Sequence, residues 1–191
     1  MKIAILAGHG GKDPGAVDPI EKEQNDGIYQ DDIYTEESDV NLKAAKILEK
    51  ILTNNGHKVL MARDRDVYIS LQNRTHFAND NNADIVISLH ANAAANSAAE
   101  GIETLYYPTS TNGKKLAKSV QKRMIKASNA TDRGIKERDN LYVLRKTMMP
   151  SVLVYMGFLT NPKEEHLLNE KEYLYLLMEA VAAGVDDYER E

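Results

Sequence analysis

Two histidines and one glutamate stand out by type and setting. His9 lies in Gly8-His9-Gly10-Gly11, just after the apolar run Ile3 to Leu6, and His90 follows the apolar, β-branched run Ile85 to Leu89. Glu37 opens a stretch with helical apolar spacing. Two neutral imidazoles and one carboxylate would leave a zinc ion three-coordinate, with a position open to water. A metal held in this way lowers the pKa of its water to about 7 and polarises a carbonyl, which suits amide hydrolysis. Each residue alone has a plainer reading. A histidine in a glycine-rich turn is commonly a loop residue, and an acid in a first helical turn is favoured by the helix dipole. The chain has no cysteine, so any metal must be taken by His, Asp or Glu. His57 at the start of a strand, His76 in an amphipathic helix and His166 among surface charges read as structural.

The elements that must position these residues follow from periodicity. Ile3 to Leu6 is a compact apolar run that opens into a glycine loop, the pattern of a central strand with His9 at its C-terminal edge. Val40, Ala44, Ile47, Leu48 and Ile51 draw one apolar stripe along a helix from about Glu37 to Asn54, ended by Asn54-Asn55-Gly56. Lys58 to Met61 supplies a short strand, Leu71 to Asn81 a helix, and Asp84 to Leu89 a buried strand that delivers His90 at its end. Ile102 to Tyr107 alternates as a strand, Lys114 to Lys126 is an amphipathic helix, Ser151 to Phe158 is a buried strand, and the chain from Pro162 onward is helical. Gly15 to Thr35, rich in Asp, Glu, Asn, Gln and Tyr without periodicity, reads as a long, solvated surface loop. Alternating strands and helices imply an α/β fold: a single domain over residues 1–191, with a mostly parallel twisted sheet flanked by helices on both faces and function at the strand ends.

Composition narrows the partners. At 191 residues there is room for one well-filled core. The net charge of −5, with Lys and Arg dispersed among acids, argues against nucleic acid as a partner. No stretch approaches membrane-spanning length, so membrane insertion is not expected. The N-terminal apolar run is too short for the core of a signal peptide. Action outside the cell would then require another exit route, as for a phage-type lysin, or a chain that is an excised domain of an exported protein.

The order Gly8-His9-Gly10-Gly11-Lys12-Asp13-Pro14-Gly15-Ala16, Glu37-Ser38-Asp39-Val40-Asn41-Leu42 and Ser88-Leu89-His90-Ala91-Asn92-Ala93 resembles the zinc-dependent N-acetylmuramoyl-L-alanine amidases. The likeness continues through Gly101-Ile102-Glu103-Thr104, Asp132-Arg133-Gly134-Ile135-Lys136, Asn140 to Arg145 and Met149 to Val154, and so covers nearly the whole chain. It implies zinc as cofactor, held by His9, Glu37 and His90. The implied substrate is bacterial peptidoglycan, cut at the amide between N-acetylmuramic acid and L-alanine.

One position departs from that pattern. Where the family carries its general-base glutamate, this chain has Tyr155, in Val154-Tyr155-Met156-Gly157-Phe158. A phenol of ordinary pKa near 10 is a poor base at neutral pH, although it can donate a hydrogen bond to a developing oxyanion. Three readings are open: reduced activity resting on zinc alone, a replacement acid from elsewhere with Glu103 and Glu137 as candidates, or a noncatalytic peptidoglycan-binding or regulatory domain.

Overall fold

The computed structural model describes residues 1–17 and 34–191. Most of the expected loop from Gly15 to Thr35 therefore lies outside the described residues; at its rims Val17 and Glu36 form an isolated antiparallel bridge. A six-stranded sheet organises the rest. Its strands are β1 (Lys2–Ala7), β2 (Lys58–Met61), β3 (Ile85–Asn92), β4 (Ile102–Tyr106), β5 (Asp132–Glu137) and β6 (Ser151–Phe158), in the order β2-β1-β3-β6-β4-β5. Every neighbouring pair is parallel except β4 and β6. The sheet is thus mostly parallel, as the alternation of elements implies.

Alternate residues of β1 show why both faces are covered. Ile3, Ile5 and Ala7 enter one core, while Ala4 and Leu6 enter another. The larger core is closed by α1 (Glu37–Asn54), α3 (Thr111–Ser128) and α6 (Lys171–Arg190). Val40, Ala44, Leu48 and Leu52 of α1 recur every four residues and are fully buried, as an amphipathic helix requires. The opposite face is covered by α2 (Leu71–Asp80) and the short α4 (Tyr142–Lys146). Two serines, Ser70 and Ser110, cap α2 and α3, and Asn161 caps α5 (Pro162–Asn169) with Pro162 in its first turn.

Several boundaries differ from the sequence reading. The strand expected to end before His90 runs on to Asn92, with a register shift between His90 and Asn92, so His90 lies within the strand's last turn of the ladder. The helix expected over Lys114 to Lys126 begins at Thr111 and ends at Ser128. The C-terminal helical region is broken at Glu170, whose extended backbone separates α5 from α6.

Candidate metal centre

Parallel pairing aligns the functional edge. β1 and β3 run side by side with Ala7 opposite Leu89, and β3 and β6 run side by side with His90 opposite Tyr155. The C-terminal ends of three adjacent strands thus open together onto one cleft of about 400 Å³, lined by His9, Glu37, His90, Leu141, Tyr142 and Tyr155 among others. Glu37 reaches it from the first residue of α1.

There the three residues singled out from sequence converge. Glu37 bridges the two rings: its Oε1 lies 2.9 Å from His90 Nδ1 and its Oε2 3.1 Å from His9 Nε2. The rings meet edge to face with centroids 5.3 Å apart, and one donor atom from each residue falls within 4.8 Å of the others. Glu37 is buried, whereas both histidines are half-buried at the cleft wall.

The surrounding backbone is shaped to leave this space. A Cβ on Gly8 would lie 2.3 Å from the His90 ring, and one on Gly15 would lie 2.5 Å from Glu37 Oε2 and 2.7 Å from the His9 ring. Gly15 also has φ of +73°, a left-handed conformation that favours glycine. His9 itself has φ of 58°, uncommon for a residue with a side chain. Two imidazoles, one carboxylate and a cradle without side-chain bulk fit a divalent metal with an open coordination position.

Electrostatics agree with that donor set. Burial alone would raise the Glu37 pKa, but hydrogen bonds and charge from His9 and His90 outweigh it and hold the carboxyl well below the usual carboxylate range. Glu37 is therefore ionised at any physiological pH. Burial opposes protonation of His9, yet the Glu37 hydrogen bond and the nearby carboxylates of Glu37 and Asp13 raise its pKa. Asp13 Oδ2 lies 3.0 Å from His9 Nδ1, though off the direction of a hydrogen bond.

Tyr155 sits across the cleft, its ring centroid 6.0 Å from that of His90. Burial and the charges of Glu37 and Glu103 push its phenol above the ordinary value, so it is a weaker acid than a free tyrosine and remains protonated. The two acids considered as replacements do not line the cleft. Glu103 pairs in register with Tyr155, but its Oε2 accepts from Arg133 Nε at 3.2 Å and from Lys136 Nζ at 2.5 Å. Glu137, at the end of the β5 edge strand, accepts from the Tyr106 hydroxyl at 2.9 Å.

The remaining histidines lie elsewhere. His76 is exposed on α2, and His166 is 3.2 Å from Glu170 in an i, i+4 pair. His57 is buried just before β2 and belongs to a second group, with Asp186 and Glu189 of α6. In that group the carboxylates flank opposite ring nitrogens, Asp186 at 2.9 Å from Nε2 and Glu189 at 3.9 Å from Nδ1. Sequence reasoning passed over Asn41, Arg63 and Arg74, all buried beneath the His9 loop. Asn41, one helical turn after Glu37, has its Nδ2 3.3 Å from both Glu37 Oε1 and the Gly8 carbonyl. The i, i+4 spacing of Glu37 and Asn41 was the available signal.

Known proteins resemble the chain as a whole. The family model described as N-acetylmuramoyl-L-alanine amidase matches residues 3–187. The chain is 32% identical over 188 residues to YqiI of Bacillus subtilis (strain 168), covering 97% of this chain and 84% of that one. It is 31% identical over 186 residues to LytH of Staphylococcus saprophyticus, described as a probable cell wall amidase, covering 97% of this chain but only 57% of LytH. Among solved structures, the N-acetylmuramoyl-L-alanine amidase from Clostridium difficile 630 superposes with a TM-score of 0.89 at 36% identity, over 100% of this chain and 97% of that one. By this match along nearly its whole length, the chain belongs to the N-acetylmuramoyl-L-alanine amidase family of metal-dependent enzymes.

Proposed function

We propose that the chain is a zinc-dependent peptidoglycan hydrolase of the bacterial cell wall, cleaving the amide between N-acetylmuramic acid and L-alanine, and that Tyr155 slows it. The convergence of His9, Glu37 and His90 within 4.8 Å at the mouth of a cleft carries this reading. Zinc suits two imidazoles and a carboxylate, and when bound it would supply the Lewis acid and the acidified water that amide hydrolysis requires.

The chain's own residues divide the remaining work. His9, Glu37 and His90 would hold the metal, with Glu37 kept anionic by its two neighbours. Leu141, Tyr142 and Val143 supply an apolar and aromatic wall opposite them, against which a glycopeptide can lie. Tyr155, which lines the cleft, would donate its O–H to an oxygen gaining negative charge there. Because its pKa is raised, it cannot take a proton at neutral pH, and the leaving amine must be protonated from solvent. This missing proton shuttle is the reason for slow turnover.

Release of stem peptide from purified peptidoglycan tests the reading, with zinc-loaded protein, a chelated control and a Tyr155→Glu variant compared. The expected result is slow, chelator-sensitive release by the unmodified chain and an increase of roughly 10²–10⁴-fold in Tyr155→Glu, the usual contribution of general acid–base help. Release by the variant alone would mark the chain as a noncatalytic domain on an intact metal site. No release by either would sink the amidase reading.

A further inference from the structure

Where β1 ends, its ladder ends too, and the carbonyls of Ala7, Gly8 and His9 turn away from any neighbouring strand. Buried carbonyls need donors, and leaving one unsatisfied costs about 1–3 kcal/mol. Two arginine side chains supply them. Arg63 lies two residues past the end of β2, beside the end of β1; its Nε donates to the Ala7 carbonyl at 3.1 Å and its Nη2 to the Gly8 carbonyl at 2.8 Å. The same Nη2 donates to the Ser38 carbonyl in the first turn of α1 at 2.7 Å. Arg74 of α2 donates from Nη1 to the Ala7 carbonyl, from Nη2 to the His9 carbonyl at 2.6 Å, and from Nε to the Ile69 carbonyl at 2.9 Å.

Both guanidinium groups are buried, at 3% and 4% exposure for the two residues. Among the described residues no carboxylate lies within ion-pair distance of either. An arginine buried for stability alone would normally be paired with an acid; these two spend their donors on main-chain carbonyls. Packing follows the same logic, since a Cβ on Gly10 would lie 3.1 Å from the Arg63 guanidinium carbon. Burial lowers both pKa values, that of Arg74 to about 10 with the Arg63 charge contributing, so both remain cationic at neutral pH.

We infer that Arg63 and Arg74 are positioning residues for the metal centre: Arg63 ties the His9 loop to the first turn of the Glu37 helix, and Arg74 locks the His9 backbone in its left-handed conformation. This rests on the zinc reading above. The planar fork is what the task requires, because one guanidinium reaches several carbonyls whose directions are fixed, whereas a lysine ammonium is a single flexible point.

The test compares the unmodified chain with Arg63→Lys, Arg74→Lys, His90→Ala and, as a stability control outside the cleft, Val120→Ala on the buried face of α3. Zinc affinity is measured by chelator competition and stability by thermal unfolding of the metal-free proteins. The expected result is one zinc per unmodified chain, none retained by His90→Ala, and affinity weakened roughly 10–100-fold in each lysine variant, as for other residues that orient metal ligands. Val120→Ala lowers the melting temperature with affinity unchanged. Lysine variants that bind zinc as tightly as the unmodified chain would overturn the inference and leave the zinc reading standing. An unmodified chain that takes up no more zinc than His90→Ala would overturn the zinc reading and the inference with it.

Discussion

Among the described residues two groups of histidine and carboxylate donors lie close together, and they differ in what occupies the space between the donors. At the cleft, one carboxylate lies between two imidazoles, and the donors face a common point over a floor kept clear by Gly8 and Gly15. At the other group, Asp186 lies 2.9 Å from His57 Nε2 and Glu189 3.9 Å from its Nδ1, and Asn55 Nδ2 donates to Asp186 Oδ2 at 2.9 Å. The first arrangement opens onto a cleft; in the second, whose donors also lie within 4.8 Å of one another, the N-terminal amine sits 3.2 Å from His57 Nδ1 and 3.0 Å from Glu189 Oε1, so the group ties the chain's start and the approach to β2 to the last turns of α6. Residue types alone do not make a metal centre. Nor does proximity, which both groups share; room among the donors for an ion does.

The sharpest way to break this contrast is to remove one histidine from each group. His90→Ala is expected to abolish stoichiometric zinc uptake, measured by metal analysis after gel filtration, while His57→Ala keeps one zinc and loses roughly 1–3 kcal/mol of stability in denaturant unfolding, the cost of an unpaired buried partner. Zinc lost from both variants would erase the distinction.

Glycines offer a second comparison. Gly15 and Gly56 both have left-handed φ, +73° and +89°, but a Cβ on Gly56 meets nothing within 4 Å. Alanine at either position is expected to cost about 1–2 kcal/mol in backbone strain. Only Gly15→Ala should also weaken zinc binding, because its methyl group collides with Glu37 and His9. Equal zinc affinity in the two variants would show that the cradle is looser than its geometry.

The smallest effect is on pH. In the metal-free protein the His9 pKa is raised above its ordinary 6.5, so its pairing contributes stability that is fully present below about pH 6.5 and lost as pH rises through the raised value. Zinc needs the deprotonated ring, so its affinity should climb over that same window. Urea unfolding of metal-free protein beside His9→Ala, with chelator titrations across the window, would show the two trends crossing. Parallel trends would remove His9 from the metal centre.

Much of this was legible in the chain. The apolar runs of β1, β3 and β6 announced themselves because strands covered on both faces are continuously hydrophobic, and the α1 stripe followed from its period. β5 was missed because Asp132 to Glu137 is a half-exposed edge strand without alternation, and α4 because five residues cannot display a helical period. The reversed direction of β4 has no local signature at all. In the site, His9, Glu37 and His90 could be picked out as a donor set joined to strand and helix ends. Arg63 could not: amid Arg63-Asp64-Arg65-Asp66 it reads as one more solvated charge, and only the tertiary fold buries it under the His9 loop.

The placement of these parts along the chain has a consequence for synthesis. The proposed metal donors and both arginines proposed to brace them lie in the first half of the sequence, on the loop after β1, on α1, on the turn after β2, on α2 and on β3. Position 155 comes from β6, which pairs with β3 only after the second half has left the ribosome. A nascent chain therefore emits its proposed metal donors before position 155, while the core that packs α1 and β3 together, shared with β6, α3 and α6, closes only when the second half arrives. The proposed metal site is spelled out early in translation and can be completed only late.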